Sequence, residues 1–297
     1  MAAAGVCLSA GASQAAPPTA TQILDQFNLI TSGNASTNSD IEGAAVIGGT
    51  LSGSATFFNN GSDLPNNKAV DVYGTVSGGG KNIDNGGDLY YTGNLSNGQV
   101  NFNGGGSQIK SGPVLPLSDY TTTLLNFSNT LAGLTANSSI VDQGGAAEFD
   151  AVANSSGVAV FSLTGAALQS DLQNARVDFN LGSGVASVVV DVTGSGSSGN
   201  FTDPSSSNWN APALRNVIFN FETASSVKLG NWQASVLAPK ASVGISGGAL
   251  NGTLFAKTFT GGGELHNDTY KVPEPASLGL FGLGVAALAG LRRRRRR

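Results

Sequence analysis

The chain has 297 residues; 42 are Gly and only 11% are charged, against ordinary shares of about 7% and about 25%. That balance excludes a coiled coil, a basic nucleic-acid binder and a highly charged disordered tail, while 40% hydrophobic residues suffice to build a core of one large or two smaller domains. Setting aside the tail from Val272, with its six arginines and one glutamate, leaves 9 basic and 18 acidic residues, so the acidic body offers no basic face to nucleic acid or anionic lipid.

Residues 1–16 read as a truncated signal peptide. They are small and apolar, and Ser13-Gln14-Ala15-Ala16-Pro17 offers a small-x-small cleavage site, but no basic n-region precedes it; the first Lys or Arg is Lys68. The only cysteine, Cys7, lies there, so a mature chain has no disulfide, no Cys-bound metal and no thiol nucleophile.

From 17 to 271 the pattern is one of short strands punctuated by Gly, Asn and Ser, a single domain of all-β class. Strands are predicted at Phe27 to Thr31, Ala44 to Ile47, Ala69 to Val76, Asp88 to Tyr91, Val158 to Leu163, Ser187 to Val192, Val217 to Phe221, Gln233 to Leu237 and Thr253 to Lys257. Asp84-Asn85-Gly86-Gly87-Asp88 reads as an Asn-Gly turn rather than a calcium loop, because it lacks a third acid. One flanking α-helix interrupts the strands. Ser118 is its expected N-cap, and Tyr120, Leu124, Phe127, Leu131 and Leu134 form an apolar stripe that must pack along the sheet structure.

Two internal echoes suggest a repeat. Val236-Leu237-Ala238 returns as Leu254-Phe255-Ala256 at a shift of 18, and Asp71-Val72-Tyr73 returns as Asp88-Leu89-Tyr90 at a shift of 17. Either shift suits one coil of a β-solenoid, or β-helix; a β-sandwich is the alternative.

The tail, 272–297, has its own grammar. Val272, Pro273, Glu274 and Pro275 lead into an uncharged run from Ala276 through Leu291, then Arg292, Arg293, Arg294, Arg295, Arg296 and Arg297. The apolar run spans about 24 Å as a helix, workable as a membrane span with snorkelling arginines held on the cytoplasmic side. This order resembles the PEP-CTERM sorting signal of bacterial exported proteins. The resemblance implies a transient partner, an exosortase-type membrane protease cutting near Pro-Glu-Pro, and only temporary anchoring in the inner membrane.

No catalytic, cofactor-binding or metal site is expected. His266 is the only histidine, so a multi-histidine metal site is impossible and any triad must use it. Glu264 and His266 share one side of a strand, yet no Gly-x-Ser-x-Gly accompanies them; they are read as hydrogen-bonding groups that cap a last coil. Thr258-Phe259-Thr260 is too short a threonine row for an ice-binding face. Tyr73, Tyr90, Tyr91, Trp209 and Trp232 are sugar-stacking candidates only where exposed.

The body also resembles a known family. Asn38-Ser39-Asp40-Ile41-Glu42-Gly43, the Tyr120 to Leu134 helix, Val188 to Gly194, Val217 to Phe221, Ser235-Val236-Leu237-Ala238-Pro239, Leu250-Asn251-Gly252-Thr253 and Gly263-Glu264-Leu265-His266-Asn267 follow in its order. These are similar to the choice-of-anchor A domain, an adhesive surface domain joined to varied anchors. The chain departs from its pattern at Lys240, usually Asn, and Phe219, often Trp. The resemblance implies an ice-binding-like β-helix with a flanking helix. It marks Glu42, Gly43, Leu237, Ala238, Pro239, Asn251, Gly252, Glu264, His266 and Asn267 as signature residues of structural role.

The expectation is therefore an exported, noncatalytic protein of the cell surface or extracellular matrix. It would be adhesive or structural, with extracellular polysaccharide or other surface components as partners and no nucleic acid. A polysaccharide-active β-helix enzyme and an ice-binding protein are the alternatives.

Overall fold

The computed structural model describes residues 17–61, 68–96, 99–173, 176–194, 196–201, 209 and 214–271. The predicted signal peptide with Cys7, and the tail with its Pro-Glu-Pro motif, apolar run and arginines, lie outside the described residues. No described helix is long and apolar enough to cross a membrane.

Parallel strands stack into a β-solenoid with three faces. Face a runs in spatial order through Gln108–Ile109, Asp88–Tyr91, Lys68–Val72, Ala44–Ile47, Phe27–Thr31, Leu254–Gly261, Ala234–Ile245, Leu214–Asn220, Ser187–Thr193 and Val158–Thr164. Face c contains Leu51–Ser52, Ala35–Thr37, the later halves of Leu254–Gly261 and Ala234–Ile245, Ser226–Leu229 and Gly199–Phe201. Face b stacks Val100–Phe102, Lys81–Ile83, Thr56–Phe57, Ile41, Glu264–His266 and Ala249–Asn251. Parallel pairing on every face excludes the sandwich; the antiparallel pair among the described strands is Ser139–Gln143 with Ala146–Ala151.

The stacking order is not the chain order. Helix α1 (Ala20–Gln26), closed by a Thr19/Gln22 capping box, feeds Phe27–Thr31 in the middle of the stack. The chain then climbs to Gln108–Ile109, returns outside face a as helix α2 (Leu117–Ala132), and descends from Val158–Thr164 until Leu254–Gly261 docks beside Phe27–Thr31. A short helix α3 (Gly165–Asp171), capped by Thr164, packs on this second half. The structure thus adds two short helices to the predicted one.

Because α2 covers face a, its strands are buried on both sides, which is why Val188-Val189-Val190 reads as an unbroken apolar run without alternation. The 18-residue echo is a true rung: Val236, Leu237 and Ala238 pair with Leu254, Phe255 and Ala256. The 17-residue echo is off by two, since Asp71 pairs with Tyr90 and Val72 with Tyr91, a coil of 19 residues; one further residue, Ala69, is accommodated by an irregularity between Lys68 and Val70.

Helix α2 buries Tyr120, Leu124 and Leu131 with Phe127 partly covered, and it ends before Leu134, which is partly covered beyond the Gly133 C-cap. Its N-cap is Pro116, not Ser118. The Tyr73 hydroxyl donates to the Leu115 carbonyl, fixing the approach, and Asp119 sits in the first turn where the helix dipole favours a carboxylate.

The corners demand glycine where coils touch. A Cβ on Gly53, at φ +93°, would lie 2.0 Å from the Thr37 carbonyl oxygen. At the far end Asn137 mimics a strand: Val160 N–H donates to its Oδ1, and its Nδ2 donates to the Val158 carbonyl, closing an otherwise open edge.

Candidate functional site

The split path leaves one seam on each face, where early and late parts of the chain meet. On face a, Leu29, Ile30 and Thr31 pair with Leu254, Phe255 and Ala256. On face c, Ala35 to Thr37 pair with Phe259 to Gly261. On face b, Ile41 bridges Phe57 on one side and Leu265 on the other.

Most of the signature residues converge on this seam. Asn28, fully buried between Phe27 and Leu29, donates from Nδ2 to the carbonyls of Gly252 at 2.6 Å and His266 at 3.0 Å, and its Oδ1 accepts from Gly43 N–H at 3.2 Å. Gly43 has no room for a side chain, because a Cβ would stand 2.6 Å from Asn267 Oδ1 and 2.8 Å from Asn28 Cβ. Glu42 Oε2 accepts from Asn60 Nδ2 at 3.1 Å and from Asn267 N–H at 2.9 Å. His266 sets Nδ1 2.5 Å from Asn251 Oδ1 and Nε2 3.1 Å from Glu264 Oε2, with Glu42 Oε1 at 3.9 Å. The closing block therefore lies in the middle of the stack rather than at an end coil. Leu237, Ala238 and Pro239 lie apart from this cluster, buried under face a at the bulge before Lys240, which pairs with Glu222.

Asn28 carries as much of the seam as any signature residue, although it belongs to none of the motifs that mark the family. The signal is there: a lone amide inside Phe27-Asn28-Leu29-Ile30 needs buried partners.

Among the described residues no hydroxyl hydrogen-bonds to His266, and no group of three metal-ligating side chains occurs. In the Asp84 to Asp88 turn, Asn85 and Gly86 both take positive φ; Asp84 Oδ1 accepts from Asn103 Nδ2 and Asp88 Oδ1 from Ser107 N–H, tying both carboxylates to the next coil. The tryptophans are core: Trp232 is fully buried, and its ring lies 5.1 Å from that of Trp209 and 4.8 Å from that of Phe219. Tyr91 is buried too, while Tyr73 and Tyr90 are half-buried.

Two buried carboxylates lie under α2. Burial pushes Asp71 up to about 6, against the opposing pull of Lys68 and the Tyr120 hydroxyl. Asp191 is raised by burial, moderated by Asn220 Nδ2 donating at 2.8 Å; Asn220 in turn holds α2 through Ser128.

The open faces differ sharply. Face b carries Asn101, Asn82 and Thr56 in one row, with Asp40, Glu42 and Glu264 around the seam. Face c carries Lys228, Gly244, Thr260, Ser36 and Ser52 in one row and Ser226, Ser242 and Thr258 in another. Read along the chain, only Thr258 and Thr260 suggest such rows; stacking brings serines from distant coils beside them.

Residues 20–267 match a family described as "Putative Ice-binding-like adhesive domain", and residues 271–296 match the PEP-CTERM protein-sorting motif. Among solved structures, the crystal structure of an ice binding protein from an Antarctic bacterium, Flavobacteriaceae, is 13% identical, with a TM-score of 0.29 over 80% of this chain and 79% of that one. No curated protein matches the chain.

Proposed function

The chain belongs to the ice-binding-like adhesive domain family and carries a PEP-CTERM sorting motif that marks it for export to the cell surface; from that premise we propose that it is a noncatalytic adhesive or structural protein of the surface or extracellular matrix. An exosortase-type protease processes it near Pro273-Glu274-Pro275, after transient anchoring by the Ala276 to Leu291 span and its arginines. The observation that supports adhesion is the open ladder surface of faces b and c, which repeats small polar side chains rung after rung. Such repetition suits weak, multivalent contact with a polymer better than capture of one small molecule.

Intact-mass analysis of surface and culture fractions tests the sorting step. We expect a mature chain ending near Pro275, lost in Glu274→Ala; a mass that keeps the arginine tail in the inner membrane would overturn it.

Ice binding is the second reading, favoured by the Ser/Thr rows of face c. Thermal hysteresis that Thr260→Tyr removes would select it.

A further inference from the structure

Both ends of the described chain leave the solenoid together. Lys271 Nζ lies 2.6 Å from Asp25 Oδ1 of α1, and Lys271 N–H donates to the Arg215 carbonyl at the start of a face a strand. Helix α1 enters Phe27 where face a begins. Each coil passes from a to c to b, as Phe27–Thr31, Ala35–Thr37, Ile41 and Ala44–Ile47 show. The exit is therefore the corner between b and a, part-way along the stack, and the sorting motif continues from it. Face c lies opposite that corner. Face c is thus the face farthest from the corner where the chain leaves the solenoid toward its sorting motif.

Charge divides the faces in the same sense. Face b presents Asp40, Glu42 and Glu264. The described outward rows of face c contain no carboxylate. Lys228 lies in one row, its stem passing beside Gly244, and Lys257 stands exposed at the a/c corner; neither makes an ion pair among the described residues. The nearby Glu222 is occupied by Lys240. On a body with 9 basic against 18 acidic residues, face c is where a polyanion meets hydroxyl donors and unpaired ammonium groups without facing a carboxylate.

We propose, building on the adhesive reading above, that face c is the outward docking surface and that its partner is an anionic polysaccharide lying along the stack axis. Hydroxyls of Ser36 and Thr260 donate to its oxygens, and Lys228 and Lys257 meet its carboxylates.

The test uses cells displaying the full-length protein, a labelled polyuronate (alginate) and neutral dextran, with surface amount and thermal unfolding measured for every variant. Polyuronate binds at least about tenfold better than dextran and weakens as salt rises. Thr260→Tyr and, independently, Ser36→Tyr each place a ring over the rows while facing solvent, and each lowers binding about tenfold or more. Lys228→Gln with Lys257→Gln lowers it about fivefold. Thr56→Tyr on face b changes nothing. Binding that survives both face c rings but fails in Thr56→Tyr overturns this inference and leaves the adhesive reading standing. Equal binding of dextran overturns the polyanion assignment. Absence of binding to any polysaccharide, with or without ice shaping, overturns inference and adhesive reading together.

Discussion

Asn28 Nδ2 donates to the Gly252 carbonyl at 2.6 Å across 224 residues of sequence, and that bond sits where the two halves of the solenoid meet. Parallel neighbours elsewhere are one coil apart and close cheaply; this contact must close nearly the whole chain. The seam is therefore where side-chain hydrogen bonds supplement the backbone ladder.

Asn28→Ala strands the Gly43 N–H and two carbonyls in a dry interior. Urea unfolding will show a loss of about 2–4 kcal/mol, whereas Asn82→Ala, on the open part of face b, stays within about 0.5 kcal/mol. Equal small losses would remove the seam from the account of stability.

The two carboxylates flanking His266 will separate. Glu42→Ala removes acceptors used by Asn267 N–H and Asn60 and costs about 1–2 kcal/mol; Glu264→Ala breaks only a half-exposed contact with His266 and costs under about 0.5 kcal/mol. Denaturant midpoints of the two variants, measured side by side, decide this.

Asp71 makes stability fall as pH rises. Its carboxyl is held at about 6, above the usual 3.8, so the folded chain keeps a proton that the unfolded chain releases between those values. The contribution is present below about pH 4, is lost by about pH 6 to 7, and is at most about 3 kcal/mol. Asp71→Asn will raise Tm by several degrees at pH 7 to 8, an advantage that disappears near pH 4. A variant less stable than the parent at pH 8 would mean that the carboxylate is satisfied in place.

Lys81 is buried with its ammonium donating to the carbonyls of Gly53 at 2.8 Å, Ser77 at 2.6 Å and Gly79 at 3.1 Å, and burial pulls it below the usual lysine range. Lys81→Met keeps the stem and removes the donor, exposing three carbonyls at one corner to an apolar group. The expected cost is about 2–4 kcal/mol by chemical denaturation, with faster amide exchange in Gly53 and Ser77. A neutral substitution would show that water replaces the ammonium there.

Local physics made much of this protein legible in its sequence. The strands at Phe27–Thr31, Ala44–Ile47 and Asp88–Tyr91 stand where apolar runs between Gly and Asn turns place them, and the Tyr120, Leu124, Leu131 stripe is the buried side of α2. The Leu237 and Phe255 rung was readable because the three residues of each echo pair without a register shift. The Asp71 echo misses its rung by two residues because a Gly-rich and repetitive composition leaves several registers nearly equivalent, and the pairing of Val70 with Leu89 and Val72 with Tyr91 selects one. The order of the stack, the central position of the closing block and the serine rows of face c were settled by tertiary structure alone. In/out alternation is written residue by residue, but which coil neighbours which depends on contacts closed across the whole chain.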